Sequence, residues 1–383
     1  MNRRNFLLNT TASVAIASLP RHAHAADSPL ANHQIERVEF RTVSVPWPRQ
    51  VGRNSVKGIH GRGPSKLRVC VLHTDQGATG WGQTQGKTGQ PDDVLQLVHG
   101  RTVADLIDPA TGIRSEKYHA IDVPLHDLAG VILDKPVWKM TGNPQPHVTN
   151  VYSGMIYFDD LDPAEQPAGI DKVLENCQWD YDYGYRQFKV KIGRGNKWMP
   201  PQAGLLRDID VVNAIHQAFP DVAILVDGNN GFSVETMIQF LEGIEGVPLF
   251  WIEEPFHETI ADWTQLKEYL VANGRQETLR ADGEAKPDFA ILEVLQQDQI
   301  INVRLEDICG HGFTKWRNQM SRLARGGTAV SPHTWGTALK TVYTAHLIGA
   351  YGNAPTLEGV TTQGGNVKFG GNRIVAGKFQ PSH

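Results

Sequence analysis

Residues 221–254 read DVAILVDGNNGFSVETMIQFLEGIEGVPLFWIEE. Two short apolar runs, AILVD (223–227) and LFWIE (249–253), flank the amphipathic stretch Ser233–Gly243. Apolar runs this short and continuous read as strands buried on both faces, as in a parallel sheet. Parallel strands need a crossover between them, and the amphipathic stretch is long enough to be that helix. Each run closes on a carboxylate, Asp227 and Glu253.

The same alternation continues on both sides. Upstream lie VTNVYSGMI (148–156) and FKVKI (188–192); downstream lie TLRAD (278–282), INVRL (301–305), TAVSP (328–332) and PTLE (355–358). Helical stretches such as 204–219, 288–297 and 336–350 fall between them. Eight strand-like runs, with a helix after each of the first seven, predict a (β/α)8-type barrel over 146–359 with an incomplete last unit. A doubly wound open sheet is the alternative, because periodicity does not show closure. Before the barrel, 34–48 and 66–74 alternate like strands, and Asp75-Gln76-Gly77 turns the chain into ATGWGQT (78–84). That is an antiparallel meander. With helices expected over 92–107 and 117–133 and a break at 142–144, residues 27–145 form a small α+β domain.

Composition bounds the function. The chain has 37 basic and 41 acidic residues, a net charge of −4. This gives no electrostatic reason to expect a nucleic-acid or anionic-membrane partner. No apolar run reaches transmembrane length, and three scattered cysteines make neither a disulfide framework nor a CxxC metal site. The first 26 residues carry Arg3-Arg4, an apolar stretch at 12–19 and Ala23-His24-Ala25. They resemble a twin-arginine signal peptide, which implies export to the periplasm and no membrane attachment after cleavage.

Seven successive strands end at or beside a polar residue: Lys191, Asp227, Glu253, Glu284, Asp307, His333 and Glu358, spaced 23 to 36 residues apart. In a barrel these ends converge on one mouth. Three carboxylates from adjacent strands repel one another, and a divalent cation relieves that cost. Oxygen-only ligands favour Mg²⁺. Glu254 stands beside Glu253, which is taken as the ligand because it is nearer the strand. Lys189 and Lys191 point to one face, and their repulsion is expected to lower an ammonium pKa until it serves as a base. His333, at the end of the adjacent strand, has Glu306-Asp307 within reach to orient it. Glu358, as a neutral carboxyl, could donate to a developing oxyanion. Together these groups suit proton abstraction next to a carboxylate, leading to racemisation or to loss of a β-hydroxyl.

The order K-x-K, VDGNNG, WIEEP, ADGE and SPHTWG, with TDQGATGWGQT before it, resembles the mandelate racemase subgroup of the enolase superfamily over nearly the whole mature chain. The resemblance implies a modified (β/α)7β barrel under an α+β capping domain that the C-terminal tail, 360–383, completes. It implies one Mg²⁺ per subunit on Asp227, Glu253 and Glu284. Lys191 becomes one base, tuned by Lys189; His333 with its acid becomes the other; Glu358 donates to the substrate carboxylate. The text RLEDICGHG (304–312) departs from the family's single aspartate before a Gly-Gly turn. Counting back from the turn favours Glu306 and residue type favours Asp307, which is chosen. Homo-oligomer formation is left open, since no residue argues for a state.

The capping loop RQVGRNSVKGIHGRGPSK (49–66) is Gly-rich and basic. A mobile loop carrying Arg53, Lys57, His60 and Arg62 over the mouth would suit a polar, anionic small-molecule carboxylate such as a sugar acid. Gly86-Lys87-Thr88 is no nucleotide loop, because Trp81 stands where the motif needs glycine. The expected activity is dehydration of a sugar acid to a 2-keto-3-deoxy acid. Racemisation of a 2-hydroxy acid is the alternative within the same chemistry, and an exported sugar-acid binding protein or a structural envelope protein is the alternative outside it.

Overall fold

The computed structural model describes residues 28–47, 49–61, 63–85, 90–141, 143–284, 286–360 and 372–380. The signal segment 1–26 and Arg62 lie outside the described residues. The meander forms as an antiparallel sheet of β1 (Ile35–Val45), β2 (Ser65–Thr74) and β3 (Thr79–Gln83). Its apolar face, with Val38, Cys70 and Leu72, buries against the helix Asp122–Leu133. Gly80 has no room for a side chain, since a Cβ there would lie 2.4 Å from the Leu128 backbone. The helix expected over 92–107 is broken. Pro91–Val98 ends before Gly100, which takes φ +70, and Thr102 caps a new turn, Val103–Leu106. A two-strand ribbon follows, β4 (Ile107–Asp108) and β5 (Gly112–Ile113).

The second layer is the barrel. Its strands are β6 (Asn150–Ile156), β7 (Gln187–Lys191), β8 (Ala223–Asp227), β9 (Leu249–Glu253), β10 (Leu279–Asp282), β11 (Val303–Arg304), β12 (Ala329–Val330) and β13 (Thr356–Gly359). β6 to β12 pair in sequence order, all parallel, and β13 pairs parallel with β6. At the seam between β12 and β13 the Val330 N–H donates to the Asn353 carbonyl at 3.0 Å. The Thr334 hydroxyl donates to the Glu358 carbonyl, also at 3.0 Å. Seven strands are followed by helices, and the eighth begins the tail. A modified (β/α)7β barrel under an α+β cap is therefore the architecture, as the sequence predicts.

Strand pleat explains the two cores. Alternate residues Leu225, Trp251, Ala281 and Val303, with Tyr152, fill the inside of the barrel. Their neighbours Ile224, Val226 and Ile252 pack outward against the helices. The cap is fixed to the barrel by polar anchors as well as apolar ones. Asp122 accepts from the Thr314 N–H at 2.8 Å and from its hydroxyl at 2.7 Å, at the start of the helix Phe313–Arg325. The described part of the tail, β14 (Arg373–Val375) and β15 (Lys378–Gln380), adds to the barrel sheet, not to the cap sheet. Lys378 pairs with Asn150, and Phe379 buries in the outer barrel core.

Where cap meets barrel, His346 lies in the helix Ala338–Tyr351 with a buried Nδ1 that has no hydrogen-bond partner. Burial lowers its pKa to about 4. The unfolded chain titrates near the ordinary histidine value, about 6.5. Its contribution to stability is therefore full above pH 6.5 and is lost as pH falls towards 4. His346→Phe should flatten that loss. Melting curves at pH 7.5 and pH 5 should show the variant gaining on the wild type at the lower pH, by at most about 1.4 kcal/mol per pH unit.

Candidate active site

The strand ends converge. Lys191, Asp227 and Glu253 are the last residues of β7, β8 and β9, and they stand in register across the sheet. One carboxylate oxygen each from Asp227, Glu253 and Glu284 lie within 4.8 Å of one another. Burial and the Asp227 charge push the Glu253 carboxyl well above its usual range. Glu253 Oε2 and Glu284 Oε2 are buried with no hydrogen-bond partner. Unmet carboxylate oxygens converging on one point fit a divalent cation bound by oxygen. Glu254 does not join them: at φ +38 it turns aside, and its Oε1 accepts the Glu284 N–H at 2.8 Å. Asn229 (φ +43) and Asn230 (φ +60) put similar left-handed backbone in the loop after β8.

Both lysines of the K-x-K strand point into the barrel and are buried. Lys189 donates to Glu253 Oε1 at 2.7 Å and lies 3.1 Å from Glu358 Oε1 and 3.4 Å from Asp227 Oδ2. Lys191 donates to Asp227 Oδ2. The expected lowering of an ammonium pKa is not what this arrangement gives. Burial works in that direction, but the carboxylates outweigh it and hold both lysines above the ordinary value. The reason is that each lysine meets an acid before it meets the other lysine.

His333 Nδ1 lies 3.0 Å from Asp307 Oδ2, and its Nε2 lies 3.1 Å from Glu284 Oε1. Of the two acids at 306–307, Asp307 is the one that reaches the histidine. Glu306 pairs with Arg304 instead. Asp307 Oδ1 takes the Cys309 and Gly310 N–H groups at 2.9 and 2.7 Å. Burial opposes a charge on His333, and Glu284, Glu358 and Asp307 together overcome it, so its pKa is raised. Glu358 differs from the neutral donor expected. Burial would raise its pKa, but Lys189, His333 and the Thr334 N–H, at 2.6 Å, hold it below the usual range. It stands here as an anion.

The described part of the capping loop is anchored to the barrel at several points. Arg53 is spent on Asp162 at 2.6 Å and lies over Trp198, 4.9 Å from its ring centre. Arg49 pairs with buried Asp180 at 3.0 Å. The Ser55 hydroxyl donates to the Gly228 carbonyl at 2.7 Å, and Trp198 Nε1 donates to the Asn54 carbonyl at 2.6 Å. Gly193 permits this seat, because at φ +100 it takes a left-handed turn and a Cβ would sit 2.8 Å from Ser55. Lys57 is exposed. His60 does face the site: it feels the charges of Lys191 and Glu284. Its ring packs edge-on to Tyr157 (5.0 Å) and Trp335 (5.7 Å).

The sequence reading missed two features. Lys340 donates to the same Asp307 oxygen that holds His333, at 2.6 Å. Its place just inside the helix after the histidine strand is a weak signal. Tyr157 follows β6 directly, and Lys191 Nζ lies 5.3 Å from its ring centre. Applying the strand-end rule to the first strand as well as to the other seven would have found it.

Comparison with known proteins matches the fold. The family model "Enolase C-terminal domain-like" matches residues 172–381. Galacturonate dehydratase from Geobacillus sp., solved with D-galacturonate and 5-keto-4-deoxy-D-galacturonate, is 30% identical, with a TM-score of 0.83 over 91% of this chain and 92% of that one. Another structure of that enzyme, a mutant complexed with Mg, has a TM-score of 0.84 at 29% identity over 91% and 90% of the two chains. The 3,6-anhydro-alpha-L-galactonate cycloisomerase of Streptomyces coelicolor is 31% identical, but only over 36% of this chain and 33% of its own length. L-galactonate dehydratase of Hypocrea jecorina is 22% identical over 80% of each. On these matches, and on an acid trio, a K-x-K strand and a His–Asp pair meeting at one barrel mouth, the chain belongs to the mandelate racemase subgroup of the enolase superfamily.

Proposed function

We propose that this protein is a Mg²⁺-dependent dehydratase of a sugar acid. The observation that carries the reading is the placing of two acid/base groups beside one carboxylate trio. Lys191 stands on β7, and His333 follows β12. Only β6 and β13 separate them around one side of the ring, while Asp227, Glu253 and Glu284 occupy the strands on the other.

Asp227, Glu253 and Glu284 are the residues that would hold one Mg²⁺ per subunit. When bound, it supplies Lewis-acid stabilisation of the charge that develops on the substrate carboxylate. Lys191 first gives up the proton that the Asp227 charge holds on it, and as a neutral amine its Nζ removes the proton from the carbon next to that carboxylate. His333 Nδ1–H donates to Asp307, which leaves Nε2 to deliver a proton to the departing β-hydroxyl. Water leaves, and the enol formed becomes a keto-deoxy acid. From an aldonate the product is the 2-keto-3-deoxy acid. From a hexuronate, numbered from its other end, the same elimination gives a 5-keto-4-deoxy acid. Lys189 holds Glu253 and Glu358 in place, and Glu358 anchors the loop at Thr334. The N-terminal segment adds the proposal that the enzyme works in the periplasm.

Product analysis with purified, Mg²⁺-loaded mature protein tests this. A carbonyl product one water lighter than the sugar acid is expected. A stereoisomer of unchanged mass would establish racemisation or epimerisation instead. Binding of sugar acids with no product at all would leave the binding protein as the reading.

A further inference from the structure

The geometry points to an aromatic wall at the mouth, formed by Trp47, Tyr157 and Trp335 with the edge of His60, that reads the far end of the substrate as an uncharged polyhydroxylated chain or ring. This rests on the sugar-acid reading above and adds the substrate class: monocarboxylic sugar acids rather than aldarates, which carry a carboxylate at each end.

Three observations meet here. First, the rings form one continuous surface beginning at the base. Tyr157 touches Lys191 as described, Trp335 lies 5.0 Å from Tyr157, and Trp47 stacks on Trp335 at 5.1 Å and 21°. Trp335 follows His333 by two residues, in the segment after β12 that carries the histidine. Trp47 and Trp335 are only partly buried, packed on the apolar cluster of Val51, Met155, Tyr157 and Val360. Aromatic faces left partly open beside a polar site suit the C–H faces of a sugar. Second, the two described arginines of the capping loop are committed to the barrel. Arg53 pairs with Asp162 and Arg49 with Asp180. Lys57 is left exposed at the loop tip, where water solvates it. Third, the capping-loop group that does face the mouth is an imidazole. His60 Nδ1 lies 2.9 Å from the Gly52 carbonyl and donates to it, which leaves Nε2 for a hydroxyl. A second carboxylate set against these rings would lose its water, and neither described arginine of the loop is free to replace it.

The test compares kcat/KM of the Mg²⁺-loaded enzyme on hexuronates and hexonates with the corresponding aldarates, for the wild type and for Trp47→Ala, Trp47→Phe and His60→Arg. The wild type should favour the monoacids by at least about 100-fold. Trp47→Ala should raise KM for a monoacid roughly 3–10-fold with little change in kcat, and Trp47→Phe should restore it. A merely structural tryptophan would lower melting temperature without that split. His60→Arg, which adds a cation to the wall, should move the preference about 10-fold towards aldarates. Aldarates preferred by the wild type, or an unchanged KM in a folded Trp47→Ala, would overturn the inference and leave the dehydratase reading standing. No turnover of any acid by the wild type would overturn both.

Discussion

Lys191→Ala should lower turnover by about 10²–10⁴-fold, the range that a positioned acid/base group supplies. The side chain is buried at the end of β7, so its removal leaves no nearby lysine in the same position: Lys189, two residues back, is committed to Glu253 and Glu358. The loss should fall on kcat, because the group acts on the proton in flight more than on the bound acid. Exchange of the α-proton should disappear together with product. His333→Asn gives the complementary pattern. Asparagine keeps a polar group near Asp307 but cannot deliver a proton, so dehydration should fall by a similar factor while Lys191 still exchanges the α-proton with solvent. If both variants lost exchange equally, the division of labour between the two groups would be wrong. If Lys191→Ala kept normal turnover, the lysine would be a structural counter-charge to Asp227 and nothing more.

Mg²⁺ should raise the melting temperature of the wild type and should fail to raise that of Asp227→Asn. At a free concentration 100 times the dissociation constant, the gain is about 2.7 kcal/mol. Four carboxylates, Asp227, Glu253, Glu284 and Glu358, stand against Lys189, Lys191 and His333 in one buried volume. The lysines answer part of that charge, yet Glu253 Oε2 and Glu284 Oε2 still have no donor. A dication answers both, and it should bring turnover that EDTA removes and fresh Mg²⁺ restores. Glu254→Gln is the control that separates position from charge. Its carboxylate faces the Glu284 backbone, so the Mg²⁺-dependent rise in melting temperature should survive in that variant. A rise retained in Asp227→Asn but lost in Glu254→Gln would move the metal site to the wrong carboxylates.

Most of the barrel was legible because strand burial leaves a local mark. Runs such as AILVD and LFWIE are continuous since both faces are covered, and the polar residue that ends each run cannot be core. The positions of Asp227 and Glu253 follow from that alone. Tertiary pairing left no such mark. Asp307 rather than Glu306 reaches His333 because Arg304 claims Glu306, and a sequence does not show which acid a neighbouring arginine takes. The lysine pKa failed for the same reason: two lysines on one face look mutually repelling until the acids from β8, β9 and β13 are placed between them. The capping loop carried the largest surprise. Its cations read as groups held over the mouth for an anionic substrate, whereas Arg49 and Arg53 pair with barrel carboxylates and Ser55 bonds the loop to Gly228.

The central claim is that this mouth removes a proton from the carbon next to a carboxylate. Proton NMR of the Mg²⁺-loaded wild type in D₂O, with a set of hexuronates and hexonates, reads that event directly. The account predicts loss of the α-proton signal of at least one acid and the growth of a keto-deoxy product carrying deuterium. Complete retention of every α-proton by protein shown to hold its metal would contradict it.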